Sequence, residues 1–220
     1  MLSAACRPTS STTTTSRSDA SVRRLVLILL AIVVVFGAIH WWHVRPSRPG
    51  PGVLAPDAPV QVDLDPDQGT RLVRGDVVLT TRAHFSMTAR VLAREDYEFD
   101  DLASIVPTDL AMGWGRLSDT SVLNGIEISQ SGRFYYWHVE QFPIPEGEIV
   151  ASSANMHMIP ADEGVKRALA RVRPGQVVHV EGFLVDINRN DGRWWHTSLT
   201  RTDSGAGACE IIYVESISVQ

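Results

Sequence analysis

The residues best suited to chemistry in this sequence are one cysteine and one histidine. Cys209 follows a short run of glycine and alanine residues, and His157 lies in the segment 152–158. A thiolate is a nucleophile and an imidazole can accept the thiol proton, so the pair could support a thiol-dependent hydrolase or transferase. Asn155 or Asp162 could orient the imidazole. The competing interpretation, which we favour, is that Cys209 packs as a small apolar residue and His157 is a hydrogen-bonded loop residue.

The other histidines do not form a metal-binding pattern. His179 and Glu181 share one face of a predicted strand, but two ligands from one strand do not complete a metal site. The glycine-rich segment 204–208 lacks the patterns of a phosphate loop and precedes a predicted strand, so we interpret it as a tight turn. We therefore expect neither a metal nor a cofactor. The histidines of the C-terminal domain are His84, His138, His157, His179 and His196.

Aromatic residues on two predicted hairpins are the candidate binding residues. Successive residues of a strand point to opposite faces of a sheet, so one set fills the core. The other set could form an exposed platform that stacks on sugar, peptide or nucleic acid. Packing of the aromatic side chains across the strands is the competing structural interpretation. The candidate binding residues are Tyr136, Trp137, Trp194, Trp195 and Arg193, with Arg133, Arg189 and Arg201 nearby.

The elements that would position these residues are clearest in the C-terminal third. A helix is predicted over 160–173, because it starts with acidic residues, repeats apolar residues at helical spacing and ends in basic residues before a Pro-Gly pair. A long strand follows at 177–187. The turn Asn-Asp-Gly at 190–192 predicts a hairpin into 193–201. The last predicted strand is 209–219.

Upstream of this region the sequence predicts more strands and little helix. The predicted strands are 60–64, 72–82, 85–92, 126–128 and 134–139, the last two forming a hairpin. The segment 85–92 could instead be helical. The segment 100–112 is broken at Pro107 and therefore predicts two short helical turns rather than one helix.

These elements predict a mostly β domain of the α+β class. Five to eight strands, with one helix inserted before a hairpin, indicate a curled antiparallel sheet or a small barrel like the oligonucleotide/oligosaccharide-binding (OB) fold. The segment 173–182, Arg-Pro-Gly-Gln-Val-Val-His-Val-Glu-Gly, resembles the strand entry of such barrels.

The N-terminal region predicts a single membrane anchor. Residues 1–24 are rich in Ser, Thr and Arg and predict a disordered cytoplasmic tail. Residues 25–44 form an apolar stretch long enough to cross a bilayer as a helix, with Trp41 and Trp42 placed to lie at the far interface. A cleaved signal peptide is the main alternative, although the apolar run is long and no small-residue cleavage site precedes the two tryptophans.

Basic residues flank the apolar stretch unequally and predict an N-terminus inside. Four arginines precede it and two follow, which places residues 60–220 as an extracytoplasmic domain of the cytoplasmic membrane. The proline-rich segment 45–59 predicts an extended, semi-rigid stalk. This topology puts Cys6 and Cys209 in different compartments, so we expect no disulfide between them. The arginines are Arg7, Arg17, Arg23 and Arg24 before the stretch, and Arg45 and Arg48 after it.

Three further segments carry a resemblance to a group of proteins. These are Asp-Leu-Ala-Met-Gly-Trp-Gly at 109–115, Asn-Met-His-Met-Ile-Pro-Ala at 155–161 and Gly-Ala-Gly-Ala-Cys-Glu at 205–210. Across 97–215 the chain resembles uncharacterised bacterial single-pass membrane-anchored proteins, a resemblance that implies no activity. The net charge of -5 gives no general attraction to phosphate backbones, so we expect no nucleic-acid partner. The sequence predicts a binding or assembly module for an envelope protein or glycan, with the thiol-dependent enzyme as the alternative.

Overall fold

The computed structural model describes residues 17–65, 67–200, 203, 205 and 207–220, without the side chains of 17–20 and 39–44. The predictions made for Cys6, Arg7 and Arg201, for the tail residues 1–16 and for the ring positions of Trp41 and Trp42 lie outside this description, whereas residues 17–24 of the predicted disordered tail are helical. The chain divides into two compact units, 1–44 and 45–220. Each unit is described by itself.

The first unit contains one long apolar helix. Helix α1 spans Arg17–Val44, and its segment Ser21–Ala38 has a mean hydropathy of 2.3 with exposed side chains. A helix of 28 residues is about 42 Å long at the usual rise per residue, which exceeds the roughly 30 Å of hydrocarbon in a bilayer. Among the described residues this is the one helix that could cross a membrane. It is consistent with a single-pass membrane protein.

The second unit is built mainly from strands, as predicted. Eight strands form one sheet, and two form a separate hairpin, β5 with β6. The strands are β1 Val60–Asp63, β2 Arg71–Arg74, β3 Val77–Asp96, β4 Thr108–Gly113, β5 Glu127–Ser131, β6 Phe134–His138, β7 Ser153–Pro160, β8 Val177–Arg189, β9 Trp194–Trp195 and β10 Glu210–Val219.

The helices of this unit are short. They are α2 Thr120–Leu123, α3 Glu146–Ala151 and α4 Glu163–Leu169, with a 3-10 turn at Gly115–Ser118. Helix α4 confirms the helix predicted before the long strand. The carboxylate of Asp162 accepts hydrogen bonds from the first turn of α4, and Val165 and Leu169 are buried on its inner face.

The main sheet has a circular order of pairing around its longest strands. Strand β3 pairs with β4, β4 with β7, β7 with β10 and β10 with β8, and β8 pairs again with β3. The strand pairs are antiparallel, as expected for a curled antiparallel sheet, except that β7 and β10 are parallel. A parallel pair requires a long connection, and here it contains α4, β8 and β9.

Several strands differ from the elements that the sequence predicted. The predicted strands 72–82 and 85–92 are β2 followed by one long strand, β3, and the strand predicted over 193–201 is the two-residue β9. Thr108–Gly113 is strand β4 rather than a helical turn, and the supposed loop around His157 is strand β7. Leucine, alanine and methionine favour helix in isolation, but all six residues of β4 are buried and paired on both sides. Pairing with two neighbours outweighs such local preferences.

Both faces of the central strands are covered. One face packs into the largest apolar cluster, which contains Leu110, Met112, Met156, Met158 and Ile212. The opposite face carries Ile159 and Ile211, which belong to a second cluster. By strand alternation, Asp109 and His157 lie on this second face. Both side chains are therefore buried in the fold.

The segment predicted as a stalk lies against the domain within the second unit. The amide of Ser47 donates to the carbonyl of Pro174 at 2.7 Å, and the amide of Gly52 donates to Asp119 at 2.9 Å. Ala55 is fully buried, and its amide donates to Ser118 Oγ at 3.0 Å. The folded unit accordingly begins at residue 45 rather than at residue 60.

Candidate functional site

A cavity of about 410 Å³ opens on the second face of the sheet. It lies among the loop between β3 and β4, the turn of the β5–β6 hairpin, strand β7, the end of β8, strand β9 and the residues before β10. Its walls include Phe134, His157, Arg193, Trp194, Trp195 and Cys209. Several residues singled out in the sequence thus meet at one place.

Strand register brings Asp109 and His157 together at the inner wall. The two residues are direct partners in the antiparallel pair of β4 and β7. His157 Nδ1 lies 2.8 Å from Asp109 Oδ1, and both side chains are fully buried. The contact has ion-pair distance but not the geometry of a well-formed hydrogen bond, and Nε2 has no hydrogen-bond partner among the described residues. The imidazole is therefore held in place, but its ring nitrogens make no well-formed hydrogen bond.

Asp109 has two further partners besides the imidazole. The hydroxyl of Tyr97 donates to Asp109 Oδ2 at 2.9 Å, and Arg133 Nη1 lies 3.4 Å from Oδ1. Burial raises the pKa of Tyr97 well above its usual range, and the nearby carboxylates of Glu95 and Asp109 raise it further. Tyr97 therefore remains a hydrogen-bond donor at all physiological pH values.

Arg133 fixes the turn of the β5–β6 hairpin over the site. It is the described non-glycine residue with a positive φ, 69°, next to Gly132 at 60°. Two positive φ values match the twist of a tight hairpin, although the left-handed region is strained for arginine. The guanidinium makes two 2.8 Å hydrogen bonds to Asp100 and lies 3.9 Å from the centre of the Tyr97 ring. These contacts hold the strained turn.

The two residues expected to orient His157 serve other parts of the fold. Asn155 donates to the backbone carbonyl of Arg133 at 3.0 Å and accepts from Gln130 at 2.7 Å, so it ties the hairpin to β7. Asp162 caps α4, and its backbone hydrogen bonds lower the pKa of the carboxyl. Asp109 is the residue that contacts His157. The sequence motif at 109–115 contained Asp109 but gave no sign of its partner.

Cys209 lines the same cavity as His157. Its thiol does not have the lowered pKa of a reactive cysteine. Its side chain is partly buried and interacts with Asn155. The pKa of the thiol is raised to about 11, chiefly by burial and to a smaller extent by the charges of Asp109 and Asp203. The thiol form is therefore the main form at neutral pH.

The predicted aromatic residues divide between two cavities. Trp195 packs against His157 with ring centres 4.2 Å apart and ring planes tilted by 54°, and Trp194 is 66% exposed at the cavity mouth. Tyr136 and Trp137 line a second cavity of about 310 Å³, which shares Phe134 and Cys209 with the first. Trp137 also packs against Phe142 and the small apolar cluster beneath the hairpin.

Arginines at the mouth of the first cavity are paired with carboxylates. Arg193 lies 2.6 Å from Asp101 and 2.8 Å from Asp191, and these contacts raise its pKa. Arg189 lies 3.2 Å from Asp76 and donates to the backbone carbonyl of Asp101. The positive charge at the mouth is therefore compensated by the protein itself. The contacts also fasten the β3–β4 loop to the β8–β9 hairpin.

The residues considered for metal binding do not meet at a site. His179 Nε2 lies 3.2 Å from Glu181, and Nδ1 lies 2.9 Å from the Thr88 hydroxyl. Within the described part of the chain, no group of three or more His, Cys, Asp or Glu side chains could hold a metal ion.

Comparison with protein families, with curated proteins and with solved structures found no match for this chain.

Proposed function

We propose that the second unit is a small OB-like barrel carrying a binding site on its outer face. The circular pairing of β3, β4, β7, β10 and β8 supports closure of the sheet. Five strands take part in this circle, which is the number that barrels of this kind contain. The cavity then lies beside the loops that follow the first and fourth barrel strands, where such barrels bind oligonucleotides and oligosaccharides.

The function that fits this geometry best is that of a membrane-anchored, extracytoplasmic binding module. The observation that carries the proposal is the aromatic-walled cavity of about 410 Å³. Concave, mostly apolar sites of roughly 300–1,000 Å³ with a few polar groups are typical of ligand-binding pockets. Its ligand is a part of an envelope protein or glycan, held by Phe134, Trp194 and Trp195.

Nucleic acid is a poorer ligand for this cavity. The net charge of the protein is -5, and the arginines at the mouth are already paired with aspartates. Binding to a phosphate backbone gains most of its free energy from unpaired basic groups that displace counterions. A glycan or peptide requires no such surface.

A thiol-dependent enzyme is the second candidate. It is favoured by one observation, the presence of Cys209 and the Asp109-supported His157 on one cavity wall. The raised pKa of the Cys209 thiol argues against it, because such enzymes need the thiolate at neutral pH.

Site-specific photo-crosslinking in bacterial cells tests the binding function. A benzoylphenylalanine placed at Trp194 of the full-length chain faces the cavity mouth, because Trp194 lines the cavity and is 66% exposed. We expect it to form a covalent adduct with an envelope protein or glycan, identified by mass spectrometry.

The matched control position is Val73 of β2, which is 72% exposed and does not line the cavity. The same crosslinker there should give no such adduct. Equal labelling from Trp194 and Val73, or no adduct from Trp194, would contradict the binding function.

A further inference from the structure

The second cavity, of about 310 Å³, lies along the edges of two strands rather than on their faces. Its walls include four consecutive residues of β6, 134–137, and three consecutive residues of β7, 153–155. Successive residues of a strand point to opposite faces of a sheet, so consecutive residues share a wall only along the edge of the strand. The backbone edges of β6 and β7 therefore bound the cavity.

Both edges lack a strand partner within the described part of the chain. Strand β6 pairs with β5 on one side, and its other side carries no strand among the described residues. Strand β7 pairs with β4 along 153–158, but its ladder with β10 begins only at Met156. A free strand edge is a template for pairing with another chain. The cavity is therefore flanked by two such templates.

The hairpin geometry determines which backbone groups of β6 point to its free edge. The turn at 132–133 has two residues, so the pair that flanks it, Ser131 and Phe134, is hydrogen-bonded. Hydrogen-bonded and non-hydrogen-bonded pairs alternate along an antiparallel ladder. The amides and carbonyls of Tyr135 and Trp137 therefore point away from β5, to the free edge.

Side chains that bridge β6 and β7 set the width of the gap between them. The Tyr135 hydroxyl donates to Ser153 Oγ at 3.2 Å, and Asn155 donates to the backbone carbonyl of Arg133 at 3.0 Å. The short asparagine contact closes the gap at one end, and the longer tyrosine bridge leaves it wider at the other. A strand inserted between two others requires about 10 Å between them, which is comparable to the length of a tyrosine side chain with its hydrogen bond.

We infer that this groove takes an extended segment of a partner protein, which adds as a strand between β6 and β7. On β7 the segment occupies the edge positions that precede those paired with β10. Main-chain hydrogen bonds supply the affinity when a peptide adds to a sheet edge in this way. This site goes beyond the function proposed for the first cavity, and neither proposal depends on the other.

The side chains around the groove define the chemistry of the segment. Phe134 and Tyr136 are 40% and 52% exposed and lie on the same outer face of β6. Apolar cross-strand neighbours stabilise such residues, so the segment carries apolar side chains at alternate positions. The carboxylate of Asp203 also lines the cavity and accepts a hydrogen bond from Ser198 Oγ at 2.7 Å. Its negative charge favours a basic side chain on the segment.

Synthetic hexapeptides test the site on the full-length chain in lipid nanodiscs. The probes carry valine or phenylalanine at alternate positions, threonine between them and lysine at one end. One control peptide has the same composition with its apolar residues contiguous, and the other has glutamate in place of lysine. Binding is measured by fluorescence anisotropy of a terminal dye. We expect the alternating lysine peptides to bind about tenfold more tightly than either control.

N-methylation of the peptide backbone separates strand addition from recognition of side chains. A methyl group on one amide removes one donor and leaves every side chain in place. Amides of successive residues point to opposite edges of a strand, so one pairs with β6 and the next with β7. We expect N-methylation at either of the two central residues to weaken binding about tenfold.

Two matched variants of the protein locate the site. Y136A removes an exposed ring beside the groove and should weaken binding about fivefold. F99A removes a ring that is 97% exposed and lines neither cavity, so it should bind like the wild type. Near-ultraviolet circular dichroism should show the same folded state for both variants.

Equal affinity for alternating and contiguous peptides, or full affinity after N-methylation, contradicts strand addition. Equal affinity of Y136A and F99A places binding elsewhere and overturns the site, and tighter binding of the glutamate peptide contradicts the role of Asp203. If no peptide binds and the wild-type chain self-associates in sedimentation while Y136A does not, a second copy covers the edge and the inference is wrong. A misfolded Y136A leaves the decision to N-methylation, which changes no residue of the protein.

Discussion

At the scale of single residues, Cys209 shows how burial sets the chemistry of a side chain. The pKa of its thiol rises to about 11 because the surroundings exclude water, and nearby carboxylates add to the effect. His157 lines the same cavity, but the interaction that lowers the pKa of Cys209 comes from Asn155. Proximity to a histidine is therefore not enough to activate this thiol.

Alkylation of Cys209 should be slow at neutral pH and accelerate through about pH 11. A raised pKa means that the folded protein holds the thiol proton until higher pH than the unfolded chain does. From pH 7 to 9 we expect iodoacetamide to react about 100-fold more slowly with the folded protein than with the chain in denaturant, because reaction requires the thiolate. The rate is measured by mass spectrometry of the peptide that contains Cys209. A rate that levels off below pH 8 would indicate a thiolate and favour the thiol-dependent enzyme.

The residue that sequence reasoning missed, Asp109, is the one that best defines the inner wall. It is fully buried and contacts His157, Tyr97 and Arg133. No spacing rule connects these positions, because they lie on β4, on β7, near the end of β3 and on the hairpin turn. Only strand register places them around one carboxylate.

At the scale of elements, strand β8 holds the main sheet together. It pairs with β3 along most of its length and with β10 at its N-terminal half. Gly182 lies where both pairings meet, opposite Phe85 and Val214. The backbones approach so closely there that an added Cβ would lie 2.0 Å from the carbonyl oxygen of Tyr213.

Substitution G182A should therefore destabilise the fold. We expect the free energy of unfolding to fall by about 2–3 kcal/mol or more, because the methyl group pushes β10 away from β8. The measurement is chemical unfolding of the full-length chain in detergent, followed by near-ultraviolet circular dichroism.

The same substitution at Gly147 is the matched control. A Cβ there has open space, and Gly147 lies in helix α3. Alanine favours helix more than glycine, so G147A should be neutral or stabilise the protein by up to about 1 kcal/mol. Equal losses for G182A and G147A would contradict the role given to the close contact at Gly182.

The strands also show where local sequence signals succeed and fail. The helix α4 and the β8–β9 turn were predicted because capping residues and the Asn-Asp-Gly turn act within a few residues. Strands β4 and β7 were missed because they are buried on both faces and lack a clear alternation. Their conformation depends on partners far away in the chain.

At the scale of the whole molecule, the N-terminal helix is the feature from which the location of the proposed binding module is predicted. Its apolar segment Ser21–Ala38 is long enough to cross a membrane. The excess of arginines before it predicts that the domain lies outside the cytoplasm. An anchor and a cleaved signal sequence make different predictions about the mature chain.

Protease treatment of bacterial spheroplasts tests the topology. Proteinase K added outside should digest residues 45–220 and leave an N-terminal tag protected, because the tag lies in the cytoplasm. The intact mass of the untreated protein should include residues 1–44. A protected domain would show the reverse orientation, and a mass that lacks the apolar segment would show a cleaved signal.

The sequence by itself determined the features that arise within short stretches of the chain. The apolar N-terminal helix, the mostly β composition, helix α4 and the hairpin turns depend on periodicity, capping and turn residues over a few positions. The sequence also identified candidate site residues, because the chemistry of a side chain is known from the residue type alone. These are Trp194, Trp195, His157 and Cys209.

Only the tertiary structure decided which of these residues share a site. The parallel pairing of β7 with β10, the contact between Asp109 and His157 and the burial of Cys209 depend on which strands are neighbours. Register is set by the summed packing of both sheet faces, a cooperative property that no local pattern contains. The same packing buries both ring nitrogens of His157 without a well-formed hydrogen bond from the described residues.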